Sequence, residues 1–202
     1  MNSVENIYNS IATNFDKTRY KVWRKVVEFL DIQLPNIKLL EVGCGNGKNM
    51  LYRNDLRIYG IDISEEQVSI CKAKNLNVQK SDMTALPFND SEFDAIMCIA
   101  TYHHLQTESE RAQALYEMYR VLKTGGKALI SVWAMEQTSD TKRKFTQSDE
   151  MVSWKFNDNI YYRYYHIYKK DELKEEIRSL CPEFKVESVF YDLGNWFTII
   201  SK

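Results

Sequence analysis

Apolar residues recur at helical spacing at the start of the chain: Val4, Ile7, Tyr8, Ile11 and Phe15, then Val22, Val26, Phe29 and Leu30 after Thr18, a candidate N-cap. Two amphipathic helices are predicted, the second broken at Pro35-Asn36. Residues Ile37 to Val42 then read as a buried strand that runs into Gly43-Cys44-Gly45-Asn46-Gly47, with a helix expected from about Lys48. Arg57 to Ile63 is a second strand, Ser64 caps a helix through Lys74, and Leu76 to Lys80 is a short third strand. After a turn at Leu86-Pro87-Phe88-Asn89-Asp90, Phe93 to Ile99 is so apolar that both faces must be covered, which makes it central.

Thr107 opens a helix through Leu122, Gly125-Gly126 ends it, and Lys127 to Trp133 is a fifth strand. The alternation predicts an α/β fold, a doubly wound and mostly parallel sheet with right-handed crossovers. Beyond Trp133 the periodicity lapses, and polar Met135 to Glu150, with Lys142-Arg143-Lys144, reads as a mobile surface loop. Aromatic Ile160 to Tyr168 and a helix near Asp171 to Leu180 follow. Strands Phe184 to Tyr191 and Asn195 to Ile200, joined at Gly194, complete a seven-stranded sheet with an antiparallel C-terminal edge hairpin.

At 202 residues the chain is one domain, 1–202: N-terminal helices 1–31, a core 37–133, an insertion 134–168, and a C-terminal helix and hairpin 169–202. The longest apolar run, Ala95 to Ala100, falls far short of the roughly 18 residues of a membrane span, and the N-terminus lacks an export pattern. No membrane association is expected, and a cytoplasmic location, or a nuclear one, is. Cys44, Cys71, Cys98 and Cys181 lie far apart, so neither a disulfide framework nor a metal site is expected. A net charge of −1 excludes a strong global attraction for nucleic acid, so any RNA footprint must be local.

Three glycines at alternate positions after the first strand let the backbone bend tightly and approach a ligand. The nicotinamide fingerprint needs glycine where Lys48 stands, and Gly47-Lys48-Asn49 fails the phosphate-loop pattern. Gly43, Gly45 and Gly47, preceded by Glu41 and followed 19 residues after Gly43 by Asp62, resemble the S-adenosylmethionine site of class I methyltransferases. By that resemblance Asp62 accepts bonds from the ribose hydroxyls, and Asp82 and Met83 flank adenine. Tyr8, Ile63 and Ile99 join the cofactor-binding set, Tyr8 as a lid, although its helical register fits a core role equally well.

Five segments narrow the family: Ile7-Tyr8-Asn9-Ser10-Ile11-Ala12, Thr18-Arg19-Tyr20-Lys21-Val22-Trp23, Gly43 to Lys48, Ile99-Ala100-Thr101-Tyr102-His103-His104-Leu105 and Val132-Trp133-Ala134-Met135-Glu136-Gln137. With Trp154-Lys155, Arg163-Tyr164-Tyr165-His166 and Gly194-Asn195-Trp196 they resemble the tRNA wobble-uridine carboxymethyl methyltransferases across nearly the whole chain. The resemblance implies methyl transfer from S-adenosylmethionine to the carboxylate of 5-carboxymethyluridine in the tRNA anticodon loop. That carboxylate is ionised at neutral pH, so positioning cations are needed rather than a base.

Arg19 is the leading candidate to clamp it, or else it holds the cofactor's methionine carboxylate. His103 and His104 are further catalytic candidates, each weighed against a histidine packed in the core. Trp133 and Trp154 are candidates to stack on a flipped base, against the commoner buried tryptophan, and Arg163 and His166 complete the substrate set. On a strand, however, Arg163 and Tyr165 face one way and Tyr164 and His166 the other. Lys17, Arg19, Lys21, Arg24 and Lys25 offer phosphate contacts, or only solvated faces. Arg24 and Tyr102 depart from the family pattern.

The resemblance also implies a small zinc-binding activator protein as partner. A small-molecule O-methyltransferase and a non-catalytic S-adenosylmethionine-binding subunit are the competing readings.

Overall fold

The computed structural model describes residues 3–139, 144–156 and 158–202. Two helices, α1 (Val4–Thr18) and α2 (Arg24–Asp31), precede β1 (Lys38–Val42), β2 (Arg57–Asp62), α3 (Glu65–Ala73), β3 (Asn77–Lys80) and β4 (Phe93–Ile99). A 3₁₀ turn at Tyr102–His104 leads to α4 (Glu108–Val121), β5 (Leu122–Trp133), β6 (Asp149–Phe156), β7 (Asn159–His166), α5 (Glu172–Leu180), β8 (Lys185–Asp192) and β9 (Asn195–Ser201). The main sheet has seven strands in the order β3-β2-β1-β4-β5-β9-β8, and β6-β7 form a separate antiparallel pair.

Strands β1 to β5 pair in parallel, β9 runs antiparallel between β5 and β8, and the doubly wound expectation holds. Central β4 is covered on both faces: Phe93, Ile96 and Cys98 join the core under α4 and α5, while Ala95, Met97 and Ile99 join that under α2 and α3. Ser64 caps α3, and Thr107 with Glu110 forms a full capping box at α4. Among the described residues no helix is long and apolar enough to cross a membrane.

Four local expectations need correction. Thr18 caps nothing, because it lies in the last turn of α1 and its hydroxyl donates to the Asn14 carbonyl at 2.8 Å; the cap of α1 is Ser3, and α2 begins after Trp23 without a side-chain cap. No helix follows the glycine loop: only turns form, closed by Leu51 N to Gly47 O (3.3 Å) and Tyr52 N to Asn49 O (3.2 Å). The segment before Arg57 is too short to repay nucleation, and Asn49 directs its amide to Glu41 instead.

Helix α4 ends at Val121, before the glycines, and the chain turns at once into β5. A Cβ at Gly126 would lie 2.8 Å from the Lys123 carbonyl and 2.9 Å from that of Asp94, so this glycine serves the close approach of β5 to β4. Finally, the predicted loop ends in β6. Val152, Trp154 and Phe156 are half-buried while Met151, Ser153 and Lys155 are exposed, the alternation of a strand with one covered face. Lys142 and Arg143 lie outside the described residues.

Candidate active site

A cavity of about 350 Å³ opens at the C-terminal ends of β1, β2 and β4, where open α/β sheets bind ligands. The glycine loop forms its floor. Gly43, Gly45 and Gly47 have φ of 72°, 52° and 74°, in the left-handed region, and a Cβ at Gly43 would collide with the Thr101 side chain. Asp62 ends β2: one carboxylate oxygen accepts the Gly45 N–H at 2.8 Å and the other the Ser64 N–H at 2.9 Å. These bonds fix the carboxylate while leaving lone pairs for a diol, and burial raises its pKa in spite of them.

Glu41 is buried, receives the Asn49 amide at 2.6 Å through one oxygen, and has no partner for the other among the described residues; burial raises its pKa to about 7. Ile63, Asp82, Met83 and Ile99 line the same cavity, the Asp82 carboxylate being held by the Thr84 N–H and hydroxyl at 2.9 and 2.8 Å.

Helix α1 roofs this floor. Asn9 accepts the Ser64 hydroxyl at 2.6 Å, and Lys74 donates to Asp16, so α1 is tied to α3. Asn46 in the glycine loop donates to the Arg19 carbonyl at 2.9 Å, holding Arg19 over the loop, and the Arg19 guanidinium lies 5.0 Å from the Trp154 ring centre. On the other face of β4, Ala100 adopts φ 53° and turns the chain so that His103 and His104 both meet the cavity wall.

Neither histidine is charged, for burial drives the pKa of His103 well down and that of His104 to about 3. The Trp133 N–H donates to His103 Nδ1 at 3.0 Å, so the proton of the neutral ring sits on Nε2, which makes no hydrogen bond among the described residues. His104 differs. Its Nδ1 bonds the Tyr164 carbonyl at 2.8 Å and must donate there, so its Nε2 accepts from the Tyr8 hydroxyl, also at 2.8 Å. No donor remains for a substrate, and the expectation that His104 contacts one is replaced by a role in holding Tyr8.

Arg163 is 2% exposed and has no carboxylate partner among the described residues. Its Nη1 donates to Tyr8 Oη at 3.2 Å, and its guanidinium lies 4.8 Å from the Trp154 ring and 5.2 Å from that of Tyr165. Nε and Nη2 are buried without partners among the described residues. A buried cation with two unpartnered nitrogens is costly unless an anion fills the place. Trp133 stacks on Tyr165 at 4.0 Å and 8°, so one of its faces is already covered.

His166 belongs elsewhere. Its Nδ1 bonds Asp149 and its Nε2 Glu172, each at 2.9 Å, on the face of β7 away from the cavity that its alternation with Arg163 requires. It is withdrawn from the substrate set. Sequence reasoning missed Phe15, Asn46, Lys48, Asn49, Thr101 and Tyr165, which also line the cavity. Asn46 and Lys48 stand in or beside the glycine run, and Tyr165 shares the strand face of Arg163, so those three carried a signal; Phe15 did not.

A methyltransferase-domain family model matches residues 40–130. The chain is 34% identical to a tRNA (carboxymethyluridine(34)-5-O)-methyltransferase of Schizosaccharomyces pombe over 98% of its own length and 96% of that protein's. It is 31% identical to the Xenopus tropicalis protein of the same name over 98% of its own length, but spans 40% of that relative. Against another animal relative, from mouse, it spans 20% of the length. Among solved structures, the Haloferax volcanii methyltransferase complexed with the Trm112 activator superposes with a TM-score of 0.71 at 15% identity, covering 98% of this chain and 97% of that one.

Proposed function

Since the chain belongs to the tRNA (carboxymethyluridine(34)-5-O)-methyltransferase family, we propose that it esterifies the carboxylate of 5-carboxymethyluridine at the tRNA wobble position, with S-adenosylmethionine as methyl donor. The observation that carries this reading is the buried edge of Arg163 that has no partner among the described residues. Nε and Nη2 form the side-on fork of a guanidinium, the edge that grips both oxygens of a carboxylate, and Tyr8 occupies the remaining nitrogen.

The donor set fits the cofactor: Asp62 suits the ribose diol, the glycine loop lets backbone come close, and Arg19 above that loop suits the methionine carboxylate. When bound, it supplies a sulfonium-activated methyl; transfer to a carboxylate oxygen forms one C–O bond, breaks one C–S bond and releases no proton. This chain needs no general base, which agrees with two neutral histidines and with a site built from oriented cations. To His103, whose Nε2–H is buried in the cavity wall without a partner among the described residues, we assign the role of a neutral donor to the uracil or the carboxylate. Likeness to a methyltransferase solved with an activator fits a small helper protein as partner, and that the helper binds zinc is implied only by the family resemblance.

The test is to incubate the protein, alone and with such a helper, with methyl-labelled S-adenosylmethionine and tRNA bearing 5-carboxymethyluridine. Label in tRNA that mild alkali releases is the expected result. Label only in small carboxylates would replace this reading with a small-molecule enzyme, and cofactor binding without turnover would replace it with a scaffold.

A further inference from the structure

The connector between α1 and α2, residues 19–23, is irregular and fixed over the cavity at both ends: Asn46 holds the Arg19 carbonyl at 2.9 Å, and Lys48 lies 5.2 Å from the Trp23 ring centre. Between those anchors Tyr20 is 80% exposed. Lys17 and Lys21 flank it, both exposed and neither in an ion pair among the described residues. The next two cations differ: Arg24 pairs with Glu28 (3.3 Å) and Asp192 (3.0 Å), and Lys25 with Glu28 (2.6 Å).

Across the mouth, the Arg19 to Trp154 stack joins this connector to β6. In a chain of net charge −1, unneutralised cations around one exposed ring at a cavity rim are a local device.

From this arrangement we infer that Lys17, Tyr20 and Lys21 form the docking surface for the single-stranded RNA flanking the reacting nucleotide. The lysines meet phosphates and Tyr20 stacks on a neighbouring base, a sequence-tolerant mode of holding an unpaired loop. The surface rests on the proposed RNA substrate and adds the residues that hold it, and it removes Arg24 and Lys25 from the phosphate set.

The test measures binding of an anticodon stem-loop RNA across a salt series for the parent, Lys17→Glu/Lys21→Glu, Tyr20→Ala and Tyr20→Phe. Lys127→Glu, at the opposite end of the sheet, is the control. The double variant is expected to weaken RNA binding on the order of tenfold or more and to flatten the salt slope by about 1 to 2, with S-adenosylmethionine affinity unchanged. Tyr20→Ala weakens RNA binding and Tyr20→Phe restores it. Unchanged RNA affinity and salt slope in a parent that does methylate tRNA would overturn the surface alone. So would equal losses in the control, or loss of helper binding with RNA binding intact. A parent that binds no RNA would overturn both this surface and the proposed substrate.

Discussion

The hydroxyl of Tyr8 donates to Nε2 of His104 at 2.8 Å, across 96 residues of sequence, and in doing so accepts Nη1 of Arg163 at 3.2 Å. His104 donates its single N–H, on Nδ1, to the Tyr164 carbonyl, so a helix, a 3₁₀ turn and a strand are joined by one directional chain of hydrogen bonds. Tyr8 therefore aims the guanidinium proposed to grip the substrate, while α1 covers the glycine loop. Tyr8→Phe removes the link and leaves a buried imidazole nitrogen unsatisfied. It should lower unfolding free energy by about 1–2 kcal/mol in urea titration and raise KM for tRNA more than it lowers cofactor affinity.

Arg163→Met keeps much of the side-chain volume and deletes the carboxylate fork. Turnover on carboxymethyluridine tRNA should fall on the order of 100-fold while the S-adenosylmethionine Kd, by calorimetry, moves less than about threefold. Arg163→Lys should recover little, because an ammonium offers no side-on edge. Equal loss of cofactor affinity would assign Arg163 to the cofactor instead.

Asp62→Ala removes the acceptor for the ribose hydroxyls and releases the Gly45 and Ser64 N–H groups it holds. Calorimetry should show S-adenosylmethionine binding weakened by about 1–3 kcal/mol, on the order of 5- to 150-fold.

Two histidine environments give opposite pH dependences. His103 and His104 have pKa values lowered by burial, so their contribution is intact above the unfolded value of about 6.5 and is lost as pH falls from there toward about 3 for His104. The slope approaches about 1.4 kcal/mol per pH unit for each. For His166 burial lowers the pKa, but hydrogen bonds to Glu172 and Asp149 outweigh it and raise the value. Its contribution is present below about 6.5 and disappears as pH rises through the folded pKa. Urea unfolding should show His166→Gln costing more at about pH 6 than at about pH 8.5, and the parent losing stability steadily below about pH 6.5.

Strand β4 was legible because its run is unbroken, and α3 and α4 because Ser64 and the Thr107–Glu110 box sit where their first turns need acceptors. The glycine loop, Asp62 and the C-terminal hairpin follow from local chemistry in the same way. The missing helix after Gly47 was not legible, since Asn49 is drawn to Glu41 from a neighbouring strand. Nor was β6, whose alternation was masked by the polar stretch before it. That Arg163 is buried without an acid among the described residues, and that His104 has no free nitrogen, depends on residues 155 and 96 positions away. Period-two alternation along β7 nevertheless separates Arg163 from His166, and the structure puts them on opposite faces.

The central claim is that an ionised carboxylate, gripped by Arg163, takes the methyl group without a base. Its most direct test is the single-turnover rate of alkali-labile methylation of carboxymethyluridine tRNA between about pH 6.5 and 8.5, in the parent and in Arg163→Met. The account predicts a parent rate flat to within about twofold across that range and a variant slower on the order of 100-fold at every pH. A parent rate climbing about tenfold per pH unit, or a variant as fast as the parent, would contradict it.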